Sequence, residues 1–111
     1  MTIELLYVDG CPGHEAFLPR LRELLAQAGV DAPVIQRKVE SDEAAQRERF
    51  LGSPTLRIDG VDVDPGAAQR ADYGIKCRLY PTPDGLRGTP ADEWVDDALR
   101  GNEEARDLVA S

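Results

Sequence analysis

The run Ile3-Glu4-Leu5-Leu6-Tyr7-Val8 constrains this chain most. It is short and nearly all apolar, which suits a central strand buried on both faces. Asp9-Gly10 closes it, and Cys11-Pro12-Gly13-His14 leads directly into an amphipathic segment. There Phe17, Leu18, Leu21, Leu24, Leu25 and Ala28 recur at helical spacing, with Arg20, Arg22, Glu23 and Gln27 on the other side. Pro12 fits the first helical position, where its missing N–H costs nothing. Gly29 is a natural stop, and Pro19 inside the helix is expected to kink it.

A second strand is expected over Val34 to Val39. Ser41 caps a short helix with Asp42 and Glu43 in its first turn. Ser53-Pro54-Thr55-Leu56-Arg57-Ile58 alternates like a half-buried strand, Asp59-Gly60 signals a hairpin turn, and Val61-Asp62-Val63 returns. Thr89-Pro90-Ala91-Asp92 reads as a helix start with Thr89 as cap, and Trp94, Val95, Ala98 and Leu99 form the apolar face that follows. Residues 67–88 stand out as an insertion. Within it Tyr73 to Tyr80 is a strand or a packed loop, and Asp84-Gly85 a turn. Residues 101–111 are polar, and the expectation there is a loose continuation of the helix or a frayed C-terminal tail.

The expectation is one α/β domain spanning residues 1–111, ordered β-α-β-α-β-β-α, with the insertion before the last helix. The sheet should be mixed, in the order 2-1-3-4, because the first βαβ unit is right-handed and parallel and the late hairpin antiparallel. Leu5, Tyr7, Leu21, Leu25, Ile58 and Trp94 are the expected core. A chain of 111 residues supports one such core and not two.

The formal net charge of −8 argues against nucleic acid and against an anionic membrane surface as partners. No apolar run approaches the roughly 20 residues that span a bilayer. The N-terminus lacks a basic leader region, so a cytoplasmic location is expected, where thiols stay reduced. The two cysteines are then chemical or incidental rather than a structural staple.

Cys11 is the strongest chemical signal. Unpaired N–H groups and the dipole at a helix N-terminus favour thiolate over thiol, which would lower its pKa and raise its nucleophilicity. Asp9 would oppose this if its carboxylate faces the sulfur. His14 stands three residues on, one helical turn away. It is an imidazolium that supports the thiolate, a neutral imidazole that accepts a proton or binds a metal, or a solvated first-turn residue. Cys77 lies between Lys76 and Arg78, which could lower its pKa; the other reading is a small buried hydrophobe. Cys11, His14 and Cys77 together would make a soft-metal site, although zinc normally takes a fourth ligand.

The strand ending in Cys11-x-x-His14, the long helix with Pro19 eight residues after the cysteine, Ser53-Pro54-Thr55 opening the third strand, and the last helix from Pro90 to Arg100 together resemble the thioredoxin-like superfamily. The resemblance covers residues 1 to about 66 and the last helix. It implies a cis Ser53–Pro54 bond that exposes the Ser53 backbone for pairing with a substrate strand next to Cys11. It also implies substrate contacts at Pro12, Gly13, Ser53, Pro54 and Thr55. The second cysteine of the usual C-x-x-C motif is His14 here, so a local dithiol is impossible. The iron–sulfur branch of the superfamily needs four cysteines, and this chain has two.

Three functions are therefore expected, in this order. The first is thiol–disulfide exchange, with Cys11 as nucleophile, His14 in support, and a small thiol or a protein disulfide as partner. Its mixed disulfide would be resolved externally or by Cys77. The second is a binding module with the same fold and no turnover. The third is soft-metal or organomercurial handling by Cys11 and Cys77, since organomercurial lyases use two thiols and an acid, here Asp9, on a different fold. The first needs no resident metal or cofactor. Tyr73, Ile75, Leu79 and Tyr80 supply apolar groups that would pin the Cys77 segment over the Cys11 end of the sheet or equally pack it elsewhere. Nothing in the sequence sets the oligomeric state.

Overall fold

The structure, a computed structural model, describes the backbone of residues 1–110 and the side chains of residues 1–101. It is a mixed α/β fold built on a four-stranded sheet and three helices. The strands β1 (Ile3–Tyr7), β2 (Val34–Lys38), β3 (Thr55–Ile58) and β4 (Val61–Asp62) lie in the order β2-β1-β3-β4. β1 runs parallel to β2 and antiparallel to β3, in a register that places Ile3 opposite Ile58 and Leu5 opposite Leu56. β3 and β4 meet through a two-residue turn in which Asp59 (φ 51°) and Gly60 (φ 82°) are both left-handed. That pair of dihedrals matches the twist of an antiparallel ribbon, which is why Asp-Gly is favoured there.

Alternation along β1 divides the interior into two layers. Ile3 and Leu5 join Phe17, Leu21 and Leu24 of helix α1 (Pro12–Gln27) with Val95 and Leu99 of helix α3 (Asp92–Ala110). Leu6 points to the opposite face, where Ala45 of helix α2 (Asp42–Glu48), Val39 and Phe50 cover it. Of the six expected core residues, Leu5, Leu21, Leu25 and Ile58 are buried, whereas Tyr7 and Trp94 are half-buried. Tyr7 ends its strand at the rim and stacks on His14. Trp94 packs from the edge of the cluster, tilted against Tyr80.

α1 is helical without interruption through Pro19, and Gly29 (φ 70°) follows its end in the left-handed conformation. Ser41 caps α2 by accepting a hydrogen bond from the Ala44 N–H at 3.1 Å. α3 opens later than the sequence signal. The Ala91 carbonyl accepts the first turn's bonds, so Thr89 is not the cap and Pro90 lies outside the helix. The backbone then stays helical from 101 through Ala110, the first of the two expected alternatives for this stretch. Residues 67–88 contain a single helical turn (Ala67–Gln69), an irregular stretch, and a separate hairpin of β5 (Tyr80–Thr82) and β6 (Gly85–Arg87).

Candidate functional site at the start of the first helix

Cys11 is the residue immediately before α1. Its backbone is extended (φ −78°, ψ 114°), and its side chain makes no capping bond to the helix. The thiol donates instead to the Ser53 carbonyl at 3.4 Å. Cys11 is only 3% exposed, so a partner does not meet it first.

Cys77 reaches the same place from the insertion, and it is exposed. Ser53 and Cys77 form a parallel bridge outside the main sheet. The Ser53 N–H donates to the Lys76 carbonyl at 2.8 Å, and the Arg78 N–H donates to the Ser53 carbonyl at 3.0 Å. Both cysteines thus flank one residue. Charge on the Cys11 sulfur, then burial, then side-chain hydrogen bonding with Cys11 push the Cys77 thiol above its ordinary pKa. The expected lowering by Lys76 and Arg78 does not occur, because both cations are engaged elsewhere. Lys76 Nζ pairs with Asp72 at 2.9 Å, and the Arg78 guanidinium is turned into the interior.

Arg78 is what fixes this segment. Its side chain is fully buried, and it donates to Asp62 Oδ2 at 2.7 Å, Asp64 Oδ2 at 3.2 Å and Thr55 Oγ1 at 3.1 Å. Its guanidinium also lies 4.2 Å over the ring of Tyr80. A buried cation is tolerated when paired and hydrogen-bonded this fully, although Nε keeps no partner. Burial drives the Tyr80 hydroxyl well above its ordinary pKa, so it remains a donor, and it donates to the Pro54 carbonyl. Of the expected apolar pins, Tyr80 is buried, but Ile75 and Leu79 are 42% and 60% exposed.

The close contact requires Gly52. At φ 129° it holds a conformation that L side chains rarely adopt, and an added Cβ would lie 2.9 Å from the Arg78 Cβ. The positions expected to meet a substrate are largely covered by this chain. Ser53, Pro54 and Thr55 are buried, Gly13 is half-buried, and Pro12 is exposed. A Cβ at Gly13 would come 2.7 Å from the Gly88 carbonyl oxygen and 3.1 Å from the Pro54 ring. The Ser53–Pro54 peptide bond is cis.

His14 is not part of the sulfur pair. Its ring stacks on Tyr7 with centroids 4.0 Å apart, and Nε2 meets Gln36 Oε1 at 3.0 Å. Cys11, the residue before the helix, has extended backbone, and its thiol turns to the Ser53 carbonyl while the His14 ring engages Tyr7 and Gln36. Asp9 pairs with Lys38 at 2.5 Å and is exposed, so it faces solvent rather than the thiols. Among the described residues no group of three or more His, Cys, Asp or Glu side chains is placed to hold a metal ion. The soft-metal and organomercurial expectation therefore lacks both its third ligand and its acid.

Sequence reasoning missed Arg78, Asp62 and Asp64. The signal present was a period of two from residue 77 to 80, with Cys77 and Leu79 outward and Arg78 and Tyr80 inward. A cleft of about 510 Å³ beside β4 is lined by Arg57, Asp62, Asp64 and Tyr73 among others, and neither cysteine borders it. No helix among the described residues is long and apolar enough to cross a membrane. Comparisons with protein-family models, curated proteins and solved structures return no match for the chain.

Proposed function

We propose that this chain is a thioredoxin-like thiol–disulfide exchange protein whose redox pair is Cys11 and Cys77. The observation that carries this is the placement of both cysteines around Ser53, Cys11 through its thiol and Cys77 through a backbone bridge. The missing second cysteine of the local motif is replaced in space by a residue far along the chain. The strand order, the helix opening directly after Cys11, and the cis bond before β3 support the thioredoxin-like part of this proposal.

Access assigns the roles. Cys77 is the sulfur a partner reaches, and Cys11 is the inner sulfur. In the reduced protein, Cys77 sulfur attacks a disulfide RSSR, a protein–SR bond forms, and one RS⁻ leaves and takes the Cys77 proton. Cys11 sulfur then attacks Cys77 sulfur, the mixed disulfide breaks, and the second RS⁻ leaves with the Cys11 proton. The substrate disulfide gains two electrons and two protons, and the protein gains a Cys11–Cys77 bond. In the reverse direction an incoming thiolate attacks Cys77, and Cys11 departs at the helix start, where negative charge is favoured. His14 has no step in this scheme.

Bis(2-hydroxyethyl) disulfide tests it. Wild type should release two thiols per chain and end as an unadducted, oxidised monomer. Cys11→Ser should stop at a mixed disulfide on Cys77. A wild-type protein that also stops as a stable adduct would remove Cys11 from the exchange.

A further inference from the structure

We propose that the disulfide or thiol exchanged at this pair is an uncharged molecule of low molecular weight, and not a cysteine held in an extended protein segment. The inference rests on the exchange function above and adds its substrate class. An extended polypeptide gains affinity by pairing its main chain with an exposed strand edge. Beside the sulfurs that edge is Ser53, and both of its backbone groups are taken by Lys76 and Arg78 of the same chain. The occupying segment is held by the buried Arg78, with its bonds to Asp62, Asp64 and Thr55. Gly52 allows it to lie flat against the edge. A competing peptide would have to expel this anchor, whereas a small molecule needs only the sulfur of Cys77.

The surroundings of that sulfur set the charge preference. In an extended segment, residues two apart share a face. Over residues 77–80, where burial alternates, exposed Leu79 shares the outward side with Cys77, and Ile75, two residues before the cysteine in the bend, is exposed as well. Neighbouring Lys76 is neutralised by Asp72. The net charge of −8 opposes the approach of anions at low ionic strength.

Three probes decide this on the reduced full-length chain, with closure of the internal disulfide followed by intact mass. They are bis(2-hydroxyethyl) disulfide, the anionic 3,3′-dithiodipropionate, and a blocked linear peptide whose single cysteine carries a 2-mercaptoethanol disulfide. Each rate is divided by that of a free cysteine derivative with the same probe. The neutral small disulfide should lead both others by about tenfold or more. A peptide rate equal to or above it would overturn the substrate class and leave the exchange function standing. So would a faster anionic probe. If no probe closes the Cys11–Cys77 bond, the exchange function itself fails, and this inference with it.

Discussion

Ser53 and Cys77 face one another across a parallel bridge, and the Ser53 carbonyl accepts two hydrogen bonds, from the Cys11 thiol and the Arg78 N–H. One carbonyl thus gathers the start of α1, the approach to β3 and the insertion. The two cysteines stand together because Ser53 holds both segments, not because the chain is short between them.

The first prediction concerns the titration of Cys77. Its pKa is raised chiefly by charge on Cys11. Cys11→Ser removes that cause, so the alkylation profile of Cys77 should move to lower pH. The sign follows for stability as well. A raised thiol pKa contributes stability below the ordinary value of about 8.5, and this is lost as pH rises through the folded value. Iodoacetamide rates across pH on Cys11→Ser and wild type, with the site mapped by peptide mass, check the shift. An unchanged Cys77 profile would mean that the sulfurs do not interact.

Arg78 should be costly to remove. Arg78→Met leaves Asp62 and Asp64 without their shared cation, and breaking a buried pair by removing one partner costs about 3–5 kcal/mol. Denaturant midpoints measure this. A loss below about 1 kcal/mol would place the pair in the class of solvated surface bridges.

Much of the fold was legible because apolar periodicity and turn residues carry it. β1, the α1 stripe and the Asp59-Gly60 turn follow from patterns a few residues long. The insertion was not legible, because a buried cation anchors it. Arg78 between Cys77 and Leu79 reads as a surface charge until Asp62 and Asp64 are seen beneath it. For His14 the sequence offered only its spacing from Cys11, whereas its partners in the structure, Tyr7 and Gln36, come from the neighbouring strands. Cys11 itself was legible as a strand-to-helix residue, but its burial under the insertion depends on contacts about forty residues away and beyond.

Gly52→Ala tests the close approach. The substitution combines a left-handed backbone with a 2.9 Å clash against Arg78 Cβ, and strain of this kind costs about 1–3 kcal/mol. The thermal midpoint should fall, and Ser53 and Arg78 amides should exchange faster with solvent. Gly74→Ala, where an added Cβ meets nothing within 4 Å, is the control and should change little. Equal effects at the two positions would contradict the packing described.

His14→Ala should leave the pH dependence of cysteine alkylation unchanged, because the ring engages Tyr7 and Gln36. A small loss of stability from the broken stack is expected, about 0.5–1.5 kcal/mol. A shifted alkylation profile would return His14 to the sulfur site.

The pairing of the cysteines is tested most directly by mild oxidation of the full chain, followed by intact mass and peptide mapping. Wild type should stay monomeric, lose two hydrogens, and yield one cross-linked peptide that joins Cys11 to Cys77. Neither Cys11→Ser nor Cys77→Ser should form this species. Wild-type protein that instead dimerises through Cys77, or keeps two free thiols under the same conditions, would contradict the pairing.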